Sequence, residues 1–181
     1  MLLWVLVVLG LVAFVFIYYI NRILILSNRI ENSRSQIDVQ LKKRADLVPN
    51  LVETVKGYMK HEKGVMEKVT KARENMLKAK TTEEMDKADK SLAGALKTVF
   101  AIAENYPNLK ANENFMMLQE ELSGIENKIA YARQSYNDSI LLLNTLVSTF
   151  PGVVFAALLG KRKSKYLEIE EKEKKPVKVE F

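Results

Sequence analysis

From Leu2 to Ile20 the chain carries no charged residue and leaves strongly apolar character only at Gly10, Tyr18 and Tyr19. As a helix, that run rises about 28 Å, close to the hydrocarbon thickness of a bilayer. Trp4 near one end and Tyr18–Tyr19 at the other stand where interfacial aromatics belong, and Arg22 follows at once. The pattern predicts a transmembrane helix. No breaker separates it from Ile23, Leu26, Ile30, Ile37 and Leu41, which continue at helical spacing, so one helix is expected from the membrane to about Lys43.

Asp46 then reads as an N-cap with Pro49 in the first turn, opening a second helix through Leu51 or Val52, then Val55, Met59, Met66, Val69 and Met76. Thr81-Thr82-Glu83-Glu84 reads as a cap with an acidic first turn. It starts a third helix with Met85, Ala88, Leu92, Leu96, Val99 and Ala103 on one face, closed by Asn105-Tyr106-Pro107-Asn108. The last helix shows the clearest period: Phe115, Leu118, Leu122, Ile125, Ile129, Ala132, Tyr136, Leu143 and Phe150, before Pro151-Gly152. Val177–Phe181 alternates but is too brief for a sheet. The prediction is all-α: a transmembrane helix running into an antiparallel bundle of about four long helices. Its domains are residues 1–20 (span), 21–151 (bundle) and 152–181 (apolar and basic segment with a charged tail). The second and fourth helices look longer than the first helix's soluble part, a mismatch that a bend, tilt or oligomer contact must absorb.

A cleavable signal peptide would want basic residues before the run and small ones at its end. Here Phe16-Ile17-Tyr18-Tyr19-Ile20 is bulky, so an uncleaved anchor is expected. Arg22, Arg29 and Arg34 all follow the span. Positive-inside logic therefore predicts a single-pass inner-membrane protein, N-terminus outside and bulk of the chain in the cytoplasm.

The net charge of +6 is unevenly spread: residues 21–80 carry 14 basic and 7 acidic groups, residues 81–150 carry 6 and 10. Complementary halves packing together account for this, and basic parts meeting anionic lipid are the sharper reading. No nucleic-acid motif accompanies the charge. An antiparallel bundle returns Phe150 toward the membrane, where Val153–Leu159 precede a basic cluster. Phe155, Leu158, Leu159, Lys161, Arg162, Lys163 and Lys165 are thus candidate membrane-surface residues, the alternative being a short helix plugging the bundle end.

Candidate chemistry is sparse. With no cysteine, disulfides, Cys-zinc sites and Cys nucleophiles are excluded. His61 is the only histidine, and His61-Glu62-Lys63-Gly64 matches no metalloprotease pattern. No phosphate loop or nucleophile elbow occurs. The methionines suit an adaptable binding groove or, the commoner use of Met at such spacings, gap-filling core. Asn28, Asn32, Gln36 and Gln40, four apart, form an amide stripe that either faces water or bonds across to another helix.

Two stretches resemble the LemA family. The first runs from Asn28-Arg29-Ile30-Glu31-Asn32 through Ser35-Gln36-Ile37-Asp38-Val39-Gln40-Leu41 to Lys43-Arg44-Ala45-Asp46-Leu47-Val48-Pro49-Asn50 and Tyr58. The second runs from Tyr106-Pro107-Asn108-Leu109 through Asn112-Glu113-Asn114-Phe115 to Tyr136-Asn137 and Phe150-Pro151. With the anchor, the likeness covers nearly the whole chain. The segment Gly152-Val153-Val154 and Lys161–Lys165 is more apolar and basic than the family leads one to expect there.

The resemblance implies a prokaryotic envelope protein, a helical bundle on one anchor, with no assigned catalysis or cofactor. It draws attention to Arg29, Asn32, Gln36, Asp38, Arg44, Asp46 and Asn50 in the first stretch, and to Asn112, Tyr136 and Asn137 in the second. Turns, caps and inter-helix polar contacts account for many of these; interaction sites are the other reading. The expected function is non-enzymatic: a scaffold or interaction protein whose partners are the lipid bilayer, other copies of itself or a membrane protein. The alternatives are lipid binding or membrane shaping, magnetosome formation included, and an accessory subunit of a membrane enzyme such as a protease.

Overall fold

The structure, a computed structural model, describes residues 1–167, so the alternating stretch Val177–Phe181 lies outside the described residues. Six helices follow in order: α1 (Leu2–Lys56), α2 (Lys63–Lys78), α3 (Thr82–Ala103), α4 (Pro107–Lys110), α5 (Glu113–Ser148) and α6 (Gly152–Leu158). Among the described residues there is no strand. The all-α expectation holds, with four long helices and two short ones. Contacts divide the chain into two compact units, one of Met1–Ser35 with Ala132–Phe181, the other of Gln36–Tyr131. Both α1 and α5 contribute a segment to each.

Three sequence expectations are corrected, the first two at Pro49 and the third at Phe150. The first helix does not stop near Lys43 but runs to Lys56 with Pro49 inside it, so Asp46 is an exposed mid-helix residue rather than an N-cap. The reason is the phase of the stripe. Ile37, Leu41, Ala45, Val48, Leu51 and Val55 are all buried on one continuous face. Fully burying a Val- or Leu-sized side chain contributes about 1.5–3 kcal/mol, so several together outweigh the roughly 3 kcal/mol a helix-interior proline costs. The Ala45 carbonyl, four residues before Pro49, loses its helical donor and accepts Arg73 Nε–H from α2 at 2.8 Å instead.

The second expected helix is split accordingly. Leu51, Val55 and Met59 belong to the end of α1 and the turn after it, and α2 begins only at Lys63. The length mismatch disappears with this reassignment. Past residue 20, α1 has 36 residues, the same as α5.

The second unit is built around α2 and α3, which pack on each other across a short connection. Thr81 caps α3 with a capping box: its hydroxyl accepts from Glu84 N–H, and the Glu84 carboxylate accepts from the Thr81 N–H. Ala88, Leu92, Leu96, Val99 and Ala103 of α3 are buried as their spacing predicts. Phe100 meets Phe115 edge-on at 6.0 Å. His61 is exposed in the turn before α2.

In the first unit, Leu2–Phe14 and Phe16, Ile17 and Tyr18 are exposed, and no residue of α1's most apolar window is buried. That 18-residue window, with mean hydropathy 2.7 and no protein cover, is a candidate membrane span. Its continuation packs through Ile23 and Leu26 against Leu143, Val147 and Ala156, with Ile30, Leu146, Phe155 and Leu159 around them. Phe150, expected on the α5 stripe, instead lies past its end and is 85% exposed. Helix α6 is bent 96° from α5. Gly152 permits that bend: a Cβ there would lie 2.2 Å from the Leu146 carbonyl oxygen.

Candidate functional site

The polar groups singled out by sequence do not converge on one site. In the second unit one of them, Arg44, is the centre of an ion cluster. Arg44, in phase with Leu41 and Val48 on the buried face of α1, is only 1% exposed. Its Nη1 donates to Asp89 Oδ1 of α3 at 2.5 Å and its Nη2 donates to Glu126 Oε2 of α5. Asp89 is buried with it, while Glu126 reaches in from an exposed position. One permanently charged guanidinium thus ties three helices together. The guanidinium's planar fork of donors suits two carboxylates at once, so the cluster holds the three helices in register. Asp89 and Glu126 were not singled out in the sequence. The legible signal was Asp89 beside Ala88 and three residues before Leu92: a carboxylate on a buried stripe demands a cationic partner.

Asn112 closes a second local contact in the same unit. Its Oδ1 accepts Phe115 N–H at 3.0 Å, capping α5, and its Nδ2 donates to the Tyr58 hydroxyl at 3.2 Å. Asn50 is exposed, its carbonyl accepting the Thr54 hydroxyl. With Glu53, Thr54, Asn114, Met117 and Leu118 it borders a shallow open groove. Asp38 is half-buried.

In the first unit, Arg29 and Asn32 are exposed on α1, as is Asn28, and Gln36 just beyond them is exposed too. A four-residue step turns a helix about 40° past a full turn. The stripe therefore winds, and Gln40 ends half-buried with its Oε1 buried and unpartnered. Ser33, buried, meets Ser135 of α5 at 3.3 Å between hydroxyls. Tyr136 is half-buried.

Asn137 and Asn144 do something the sequence reading missed for Asn144. Each side-chain amide pairs bidentately with the backbone of the segment after α6. Asn144 accepts Ser164 N–H at 2.8 Å and donates to its carbonyl at 2.9 Å. Asn137 accepts Leu167 N–H at 2.9 Å and donates to its carbonyl at 3.1 Å. The seven-residue interval on α5 covers about 10.5 Å, and three extended residues cover about 10 Å. The segment therefore fits antiparallel to α5.

The candidate membrane-surface residues divide. Phe155 and Leu159 are half-buried on the core, Phe155 stacking on Tyr19 at 5.2 Å and meeting Phe16 edge-on at 5.7 Å. Leu158 is 67% exposed, and Val153 and Val154 are exposed beside it. Lys161, Arg162, Lys163 and Lys165 are exposed after Gly160, whose φ of 62° ends α6.

Among the described residues no group of three or more His, Asp or Glu side chains could hold a metal ion. The profile of the LemA family matches residues 33–181, which include both the ion cluster and the asparagine pair. The chain belongs to the LemA family. Protein LemA of Metamycoplasma hominis is 27% identical over 146 residues, covering 78% of this chain and 65% of that protein. Magnetosome protein MamQ of Magnetospirillum gryphiswaldense is 22% identical over 187 residues, covering 88% and 69%. The chain thus spans about two-thirds of the length of these relatives. The apolar part of α1 precedes the matched region, so membrane anchoring rests on α1's own character.

Proposed function

We propose that this LemA-family chain is a membrane-anchored interaction protein with no catalysis of its own. It gathers copies of itself at the cytoplasmic face of the cell membrane, crossing once with its N-terminus outside. The observation that supports this is the exposed amide face of α1. Asn28, Asn32 and Gln36 follow the apolar run at one helical spacing, uncovered by α5 or α6. Exposed Leu24 and Ile25 lie between them and the span. Amides flanked by apolar side chains suit a helix–helix contact, since each can donate and accept across a seam and fix its register. The span confines copies to one plane, which raises their effective concentration. Arg22, Arg29 and Arg34 on the same side of the span support the orientation.

The chain has no cysteine, so single thiols test this directly. In native membranes, Asn28→Cys and Asn32→Cys are expected to give covalent dimers with a short bismaleimide, while Lys128→Cys, exposed elsewhere on α5, stays monomeric. Monomers from all three variants overturn self-association. An adduct to a different protein at Asn32 replaces the second copy with that partner.

A further inference from the structure

We infer that α6 and the segment clamped after it form a second, anionic-lipid-binding contact with the bilayer. The inference rests on membrane anchoring through α1 and is independent of self-association. Its first support is continuity. Phe155 sits on Tyr19 and Phe16, residues of the last turns of the apolar run, so α6 lies at the depth where the span leaves the hydrocarbon. At that depth α6 buries Gly152 and Ala156 and turns Val153, Val154 and Leu158 outward, with Phe150 exposed just before it. Its seven residues are far too few to cross a bilayer. An apolar face beside a span, on a helix bent sharply from its neighbour, fits the headgroup–acyl boundary.

The second support is charge placed by geometry. Gly160 turns the chain out of α6, and Lys161 N–H closes back on the Ala156 carbonyl at 2.9 Å. Asn144 and Asn137 then hold Ser164 and Leu167 by their backbones alone. Bonds of this kind fix the path of the chain without using its side chains. Lys161, Arg162 and Lys163 are left exposed on the short stretch between α6 and the first clamp, next to the apolar face. Cations at the rim of an inserted apolar patch recruit anionic headgroups. The asparagine pair is thus a latch that keeps the basic residues level with the membrane surface.

The test uses the full chain in vesicles of phosphatidylcholine and phosphatidylglycerol. Leu158→Cys, the sole thiol, carries an environment-sensitive fluorophore. Strong quenching by lipids bearing a shallow nitroxide is expected there, and none for the same label at Lys128→Cys. Water-like emission at Leu158 overturns the apolar half. Energy transfer from Leu158 to headgroup-labelled phosphatidylglycerol is expected to exceed transfer to labelled phosphatidylcholine. That excess disappears in the Lys161→Gln, Arg162→Gln, Lys163→Gln triple variant. Equal transfer to both lipids in the parent overturns the basic half. The excess should also shrink in Asn137→Ala/Asn144→Ala and in Ser164→Pro, which removes the donor to Asn144 without touching α5. An undiminished excess in both overturns the latch. None of these outcomes bears on dimer capture at Asn32, so the two proposals fail separately.

Discussion

Arg73 donates from Nε to the Ala45 carbonyl at 2.8 Å, the acceptor in α1 that Pro49 leaves without a helical donor. A buried carbonyl without a partner costs about 1–3 kcal/mol. Arg73→Ala is therefore expected to destabilise the second unit by about that amount. In a Pro49→Ala background the backbone N–H returns and the same change should cost about 1 kcal/mol less. Denaturant titrations of the four proteins in one detergent check this. Equal costs in both backgrounds would show that Arg73 acts through something other than the proline gap.

The ion cluster gives a larger effect. Arg44→Met leaves Asp89 buried without its guanidinium, and breaking a buried pair from one side costs about 3–5 kcal/mol. Adding Asp89→Leu is expected to recover part of the loss, because the carboxylate that Arg44 neutralised goes with it. A double variant as unstable as Arg44→Met would refute that account.

Gly152 is held to glycine by space rather than by backbone conformation. A methyl group there meets the Leu146 carbonyl oxygen at 2.2 Å, so Gly152→Ala must displace α6 from α5. The expected cost is about 1–3 kcal/mol, read as a Tm lower by several degrees. An unchanged Tm would mean that α6 shifts freely.

Glu84 supplies a pH dependence. The backbone N–H of Lys80, then that of Thr81, hold its carboxyl below the ordinary carboxylate range. A folded value below the unfolded one means the cap's contribution is fully present above the unfolded pKa. It is lost as the pH falls through the lowered folded value. The Lys80 and Thr81 amide shifts should titrate together in acid and lose that response in Glu84→Gln. Amide shifts indifferent to acid in the parent protein would count against the cap as the site of the effect.

Legibility followed how local the cause was. The all-helical character, the apolar run, the Thr81 cap, the α3 stripe and the stop at Pro151-Gly152 each depend on residues within a few positions. Sequence alone determined them through periodicity, composition and capping chemistry. What depended on distant partners was decided only by the tertiary structure. Pro49 looked like the start of a helix because its cost is local, while the compensation comes from a long buried stripe and from Arg73 on another helix. Glu126 and Asn144 look ordinary beside their neighbours, and they acquire roles only when Arg44 and Ser164 are brought to them. The apolar anchor is written in the chain. That α6 stacks on its last turns, and that two asparagines hold the segment following it, required the fold, because those contacts join residues more than a hundred positions apart or an amide to a backbone that carries no sequence signal.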